Sequence, residues 1–318
     1  MDIILHIGAQ RTATTTLQSY LRANAAALSE QEIGFWGPIR TRNDGLLSGV
    51  LPETRVPDTG PLGGADRARR RIAARLETTA RRGIGRLIVS DENMLGTVRQ
   101  NLRGPLLYPD AGARLQAYAR AFDGAVGRVV LSVRALDQYW SSAWAYAVGR
   151  GFRLPRPSEL EDMADQPRSW QAVIEEAAAA FPGAEIQVHV HERHAGFPER
   201  RLWHMLDGKV EPPMRAARGW LHRAPDLGEL RAVLAARGED PGQLPPGAGR
   251  WAVFDAPQAA RLRETYADDM FWLEAGAGGK ATLIEEEQPD QAGANLPGGA
   301  TTRGQKDDRQ DGKVARAG

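Results

Sequence analysis

The first thirty residues constrain the fold most. Residues 2–7 are a short apolar run, of the kind that fills a buried parallel strand. The stretch from Gly8 to Ala13 reads as a turn. Leu17, Tyr20, Leu21, Ala25 and Leu28 then recur at helical spacing and mark one face of a helix. Strand, turn and helix in that order open a βα unit. A strand buried on both sides needs helices on both faces of its sheet.

The alternation continues along the chain. Residues 67–82 read as a helix, basic outside, with Ile72 and Leu76 inside, closed by Gly83-Ile84-Gly85. Leu87-Ile88-Val89 centre a second buried strand over 86–90. A helix is expected over 113–122 and a third buried strand over 129–133. A helix over 136–148 carries Leu136, Tyr139, Trp140, Ala143, Trp144 and Ala147 as a core stripe. A helix over 170–180 leads through Pro182-Gly183 to a strand over 185–191. Shorter helices are expected near 198–206, 227–236 and 257–273. This order predicts an α/β fold with a central, mostly parallel β-sheet flanked by helices. Residues 37–66, rich in Pro, Gly and Asp, read as a long surface loop. Residues 93–112 and 150–168 carry no readable pattern. From Gly276 onward there is no aromatic residue, and the large aliphatics are Leu283, Ile284, Leu296 and Val314. The expectation is one domain over 1–275 and a disordered tail over 276–318.

Composition narrows the function. The 318 residues hold 41 basic and 40 acidic side chains, a net charge of +1. Such a balance argues against nucleic acid or a membrane surface as partner. There is no cysteine, which excludes disulfides, thiolate metal sites and a cysteine nucleophile. No apolar run approaches the roughly 18 residues of a membrane span, and no basic n-region precedes the first apolar run. A soluble, cytoplasmic protein is expected. His189, His191 and His194 are the main histidine grouping and read as polar residues at a strand end. No metal is expected.

The turn after the first strand reads Gly8-Ala9-Gln10-Arg11-Thr12-Ala13-Thr14-Thr15-Thr16. Against the Walker pattern GxxxxGK[ST], Gly8 matches the first glycine, Ala13 stands for the second and Thr14 for the lysine. The amides at a helix start are unsatisfied and carry the positive end of the helix dipole, which favours a phosphate there. Arg11 adds a full charge, and the threonines add hydroxyls. A plain helix cap would need one threonine, not four within five residues.

Arg11-Thr12-Ala13-Thr14-Thr15-Thr16-Leu17-Gln18 resembles the first motif of the P-loop sulfotransferase superfamily, Lys-Thr-Gly-Thr-Thr-Ser/Thr-Leu-Gln. Ser132-Val133-Arg134-Ala135-Leu136-Asp137-Gln138-Tyr139-Trp140-Ser141-Ser142-Ala143-Trp144 resembles the second, an arginine ending a central strand with a serine eight residues on; Arg134 and Ser142 match. Val89-Ser90-Asp91-Glu92-Asn93 looks like the Ser-x-Glu stretch of bacterial members. The resemblance spans roughly residues 2 to 150. It implies sulfuryl transfer from 3'-phosphoadenylyl sulfate to a hydroxyl or amine of a small molecule or glycan, leaving adenosine 3',5'-bisphosphate, without a metal. It also implies that Gln10, Arg11, Thr12, Ala13, Thr14, Thr15 and Thr16 hold the 5'-phosphosulfate, with Arg11 in the place of the family lysine. Arg134 and Ser142 then hold the 3'-phosphate. Glu92 is the candidate general base, with His6 and His191 as weaker candidates.

Residue chemistry agrees with this outline. Sulfuryl transfer, like phosphoryl transfer, asks for in-line positioning and charge stabilisation. A carboxylate or histidine that removes the acceptor proton contributes about 100- to 10,000-fold. Two positions depart from the family motif. Arg11 keeps the charge of lysine but does not readily donate a proton. Ala13 either uses an ordinary backbone or carries roughly 1–3 kcal/mol of strain. Two rival readings remain: a small-molecule kinase, whose lysine this chain lacks, and a nucleotide-binding scaffold of the same fold.

Overall fold

The computed structural model describes residues 1–51, 63–218, 221 and 223–285. Six strands form its sheet: β1 (Asp2–Gly8), β2 (Ile33–Trp36), β3 (Arg86–Ser90), β4 (Val126–Val133), β5 (Glu185–Val190) and β6 (Thr282–Ile284). Twelve α-helices lie among the described residues. The first six are α1 (Thr14–Ala23), α2 (Ala25–Glu30), α3 (Gly64–Arg81), α4 (Val98–Arg103), α5 (Ala111–Phe122) and α6 (Leu136–Val148). The others are α7 (Pro157–Asp165), α8 (Trp170–Ala180), α9 (His191–His194), α10 (Pro198–Met205), α11 (Leu227–Ala236) and α12 (Ala256–Glu274). The strand order is β2-β3-β1-β4-β5-β6, and every pairing is parallel. From β1 the chain runs out to the edge at β2, returns to β3 beside β1, then crosses to β4 and builds outward through β5 to β6. The direction reverses between β1 and β4, and open parallel sheets bind ligands beyond the strand ends at such a point.

Alternation along each strand feeds two cores. Ile3, Leu5 and Ile7 pack with Leu115, Trp140, Trp170 and Ile174 on one face. Ile4, Ile88 and Val130 pack with Leu17, Leu21, Leu202 and Met205 on the other. The two-faced burial expected from β1 and the aromatic stripe of α6 are both present.

Four of the structure's departures from the sequence expectations have a clear local cause. The single helix expected to run past Ala25 breaks at Asn24, whose side-chain amide donates to the carbonyls of Tyr20 and Arg215, both at 2.8 Å. Strand β2 carries Gly34, a poor strand residue, because a Cβ there would lie 2.9 Å from the Ile84 side chain. Helix α4, in a stretch without periodicity, starts at a capping box between Thr97 and Gln100. Strand β6 uses Leu283 and Ile284, so the chain is still folded beyond Gly276, where the tail was expected to begin. Residues 286–318, the remainder of that tail, lie outside the described residues, as does 52–62 of the expected loop. Before that gap, residues 39–43 form a π-helical turn. Among the described residues no helix is long and apolar enough to cross a membrane.

One row of the second face is polar. Ser90, His6, Ser132 and His189 occupy the last inward positions of β3, β1, β4 and β5, and all are buried. Arg201 of α10 and Gln18 of α1 close over them. Arg201 Nη2 lies 2.9 Å from His6 Nε2 and 2.7 Å from Ser132 Oγ. A guanidinium only donates, so His6 Nε2 accepts, and its proton sits on Nδ1, 2.7 Å from Ser90 Oγ. Burial, then the charge of Arg201, holds both His6 and His189 well below the usual histidine range.

These two imidazoles make stability depend on pH with a definite sign. In the unfolded chain they take protons near pH 6.5; in the folded chain they do so only far lower. Their contribution is complete above pH 6.5 and is lost as pH falls, at up to about 1.4 kcal/mol per pH unit for each. The melting temperature, followed by circular dichroism, is expected to stay level from pH 8 to 7 and to drop steadily below 6.5. A level profile down to pH 5 would contradict the neutral polar row.

Candidate functional site

The loop between β1 and α1 sits at the β1/β4 reversal and is held from beneath through its carbonyls. The hydroxyls of Thr12 and Thr14 both donate to Ala9 O, at 2.7 and 2.8 Å. Arg134 Nη1, from the end of β4, donates to Arg11 O at 2.9 Å. Arg201 Nη1 donates to Thr12 O at 3.2 Å. In a trans peptide the C=O and the next N–H point in opposite directions. Drawing the carbonyl of Thr12 inward therefore turns the amide of Ala13 outward, while Thr12 itself is fully buried. Among the described residues, the amides of Thr12, Ala13, Thr14, Thr15 and Thr16 meet no acceptor.

The backbone has the matching shape. Arg11 and Ala13 are left-handed, at φ 65° and 61°, while Thr12 between them is not. Alternating signs of φ gather successive amides into an anion-binding concavity. Of the two options open for Ala13, the chain takes the strained one.

Four arginines surround this concavity. Arg11 Nε donates to Ser142 Oγ at 3.1 Å, and its guanidinium lies 4.7 Å from the centre of the Tyr146 ring. Arg150 stacks on the same ring at 4.5 Å. Arg134 is buried, and its Nε has no partner. Burial is the main cause that lowers the Arg134 guanidinium to about 10, opposed by Glu192, with further lowering from Arg11 and Arg250. It still carries its charge at neutral pH. Arg250 follows Gly247 and Gly249, both at positive φ, and lies near enough to Arg134 and His191 to act on both electrostatically. Burial, with Arg134 and Arg201 next, lowers His191 to about 3, which keeps it neutral beside these cations.

The residues expected from the sequence separate into two groups. Arg11, Ala13, Thr15, Arg134 and Ser142 come together around the loop. Gln10 does not offer its side chain: its amide spans Asn93 Oδ1 at 2.7 Å and the Val98 N–H at 2.5 Å. The Thr12 and Thr14 hydroxyls point to Ala9, and Thr16 Oγ1 accepts from the Leu221 N–H at 3.0 Å. Amides, more than hydroxyls, are what this loop presents. The direct bond from Arg11 to Ser142 also joins two residues that the resemblance assigned to opposite ends of a ligand.

Glu92 stands at the start of the loop, with its Cβ 3.3 Å from where a Cβ on Gly8 would be. Its Oε1 pairs with Arg42 at 2.7 Å and its Oε2 accepts from Gln18 at 2.8 Å. Arg42 also grips Asp91. His6, a weaker candidate base, has both ring nitrogens engaged in the buried row.

Sequence reasoning missed Arg42, Tyr108, Tyr146, Arg201 and Arg250. Tyr108 accepts the Gln10 N–H at 3.0 Å and belongs to an aromatic group with Tyr139 and Trp170. Only Arg250 carries a local signal, the flexible Gly247-Ala248-Gly249 before it. The chain matches no protein-family model, no curated protein and no solved structure in the comparisons made.

The left-handed Ala13 gives a direct stability test. Glycine removes the Cβ conflict, worth about 1–2 kcal/mol, and adds unfolded-state entropy of about 0.4–1 kcal/mol. Ala13→Gly is expected to raise unfolding stability by up to about 1 kcal/mol in urea titration. A loss of 1 kcal/mol or more would show that the Ala13 side chain contributes packing beyond its backbone cost.

Proposed function

We propose that this chain binds the doubly phosphorylated nucleotide 3'-phosphoadenylyl sulfate at the loop after β1 and transfers its sulfuryl group to a hydroxyl or amine of a small molecule or glycan. One observation carries the reading: adjacent amides of 13–16 that meet no acceptor among the described residues lie beside Arg11 and Arg134 at the C-terminal end of a parallel sheet. That donor set suits an anion with more than one charged group. Unsatisfied amides supply hydrogen bonds, and the unpartnered Nε of Arg134 supplies a buried cation with donors to spare.

In this proposal the phosphosulfate, when bound, supplies an electrophilic sulfuryl group. The amides of Ala13–Thr16 and the charge of Arg11 stabilise the negative charge that gathers on the leaving phosphate. Arg134 and Ser142 hold the 3'-phosphate, with Arg250 near enough to add attraction. Glu92 takes the acceptor proton. A carboxylate offers about four lone-pair sites, so each Glu92 oxygen keeps one after its bond to Arg42 or Gln18. Those two partners fix the carboxylate against the loop. No step requires a metal. The acceptor site, by its position, draws on the segment around Asn93–Val98 that Gln10 anchors. The cytoplasmic location expected from the sequence is kept as part of this proposal.

A second reading draws on Arg11. Its guanidinium is bonded to Ser142 and stacked on Tyr146, which favours a nucleotide-binding chain without efficient transfer. Normal nucleotide affinity with no turnover over a wide acceptor panel would select it.

Isothermal titration with adenosine 3',5'-bisphosphate tests the binding step. Binding is expected, and Arg134→Ala should weaken it by about 1.5–3 kcal/mol, the scale of lost hydrogen bonds to a charged group. The unaltered chain should also prefer this nucleotide to one lacking the 3'-phosphate. Equal affinity for both would remove the role assigned to Arg134, and no binding at all would remove the proposal.

A further inference from the structure

Arg201 is among the largest fully buried side chains, and its position is unusual for a guanidinium. It is 2% exposed. Among the described residues its hydrogen-bond partners are a carbonyl, an imidazole nitrogen and a hydroxyl: Thr12 O, His6 Nε2 and Ser132 Oγ. Among the described residues, no carboxylate pairs with it, and its Nε has no partner. Buried cations are ordinarily paired, because removing an ion from water is costly and an opposite charge offsets the cost. Among the described residues that offset is missing. Burial alone lowers the guanidinium to about 10, so it remains charged at neutral pH. The neighbouring imidazoles are kept neutral and can only accept its hydrogen bonds.

The placement gives this charge a direction. Arg201 touches the loop at Thr12 O, and that peptide presents the Ala13 amide on its other side. An anion seated on the outward amides would lie across the loop from an uncompensated cation in a poorly screened interior. Resting on the phosphate-binding reading of the loop, we infer that Arg201 is a positioning residue for the anion site. It fixes the Thr12–Ala13 peptide with the amide outward, and its unpaired charge is balanced by the bound anion instead of by a carboxylate. The ligand thereby relieves a cost that the free protein carries.

This coupling separates the inference from a structural role. A packing residue, when replaced, lowers the stability of the free protein and leaves the affinity of the folded protein alone. A charge balanced by ligand behaves in the opposite way. Arg201→Met keeps most of the volume and removes the charge. Ser132→Asp leaves Arg201 in place and sets a carboxylate where a hydroxyl now lies 2.7 Å from Nη2. Both are expected to weaken adenosine 3',5'-bisphosphate binding about tenfold or more in titration calorimetry. The gain in melting temperature on saturation should shrink in both. The free Ser132→Asp chain should melt no lower than the unaltered one, since its buried cation is paired. Arg201→Lys, which keeps the charge, should retain affinity better than Arg201→Met.

The outcomes are distinct. If the unaltered chain binds no adenosine 3',5'-bisphosphate, the loop reading fails and this inference falls with it. If the unaltered chain binds and Ser132→Asp binds equally well, the loop reading stands and the inference alone is overturned. Should Arg201→Met fail to fold, the Ser132→Asp comparison decides, because it leaves the guanidinium and its contacts with Thr12 and His6 in place.

Discussion

The grip on three loop carbonyls is the constraint on which the site depends. Ala9 O is held by two threonine hydroxyls, Arg11 O by Arg134, and Thr12 O by Arg201. The holders come from the loop itself, from the end of β4 and from α10, elements far apart in sequence. Their common effect is to fix which way the peptide units face. A run of outward amides at a helix start is costly to leave bare, and the left-handed Arg11 and Ala13 add strain. Such an arrangement is stable only where the surrounding fold imposes it.

Much of the architecture was legible in the sequence because burial dictated it. Strands β1, β3 and β4 are mostly apolar, which is what a parallel sheet covered on both faces demands, while β5 alternates apolar and polar residues. The stripe of α6 follows helical spacing, and the structure sets Arg134, at the end of β4, within hydrogen-bond reach of the loop. What escaped notice depends on contacts distant in sequence. Gly34 makes sense in a strand only once Ile84 is seen against it. Leu283 and Ile284 are too few to predict a strand, but β5 offers them an open edge. Arg201 reads as one more basic residue on an amphipathic helix, and nothing in its neighbours announces that it faces inward. Gln10 was named from its place in a motif, and only the fold shows that its amide fastens residues 93–98.

The polar row explains how one sheet face can serve two ends. Below it, Ile4, Ile88 and Val130 build an ordinary core with α1 and α10. One residue pair further along each strand, the same face turns to histidine and serine, and the helices answer with Gln18 and Arg201. Hydrogen bonding replaces apolar packing just where the strands end and the loop begins. Buried networks of this kind fix geometry when every member is satisfied and are costly when one is not. The unpartnered Nε atoms of Arg134 and Arg201 both belong to this upper layer.

The outermost strands of the sheet are its shortest parts, four residues in β2 and three in β6. A sheet edge exposes unpaired amides and carbonyls that invite another chain to dock, and brevity is one way natural proteins limit that hazard. Here the long, strongly apolar strands stand in the interior of the sheet, each flanked on both sides by a paired neighbour. The surfaces most able to template aggregation are thus sealed by the order of assembly, and what is left at the margins is too short to recruit a partner strand for long.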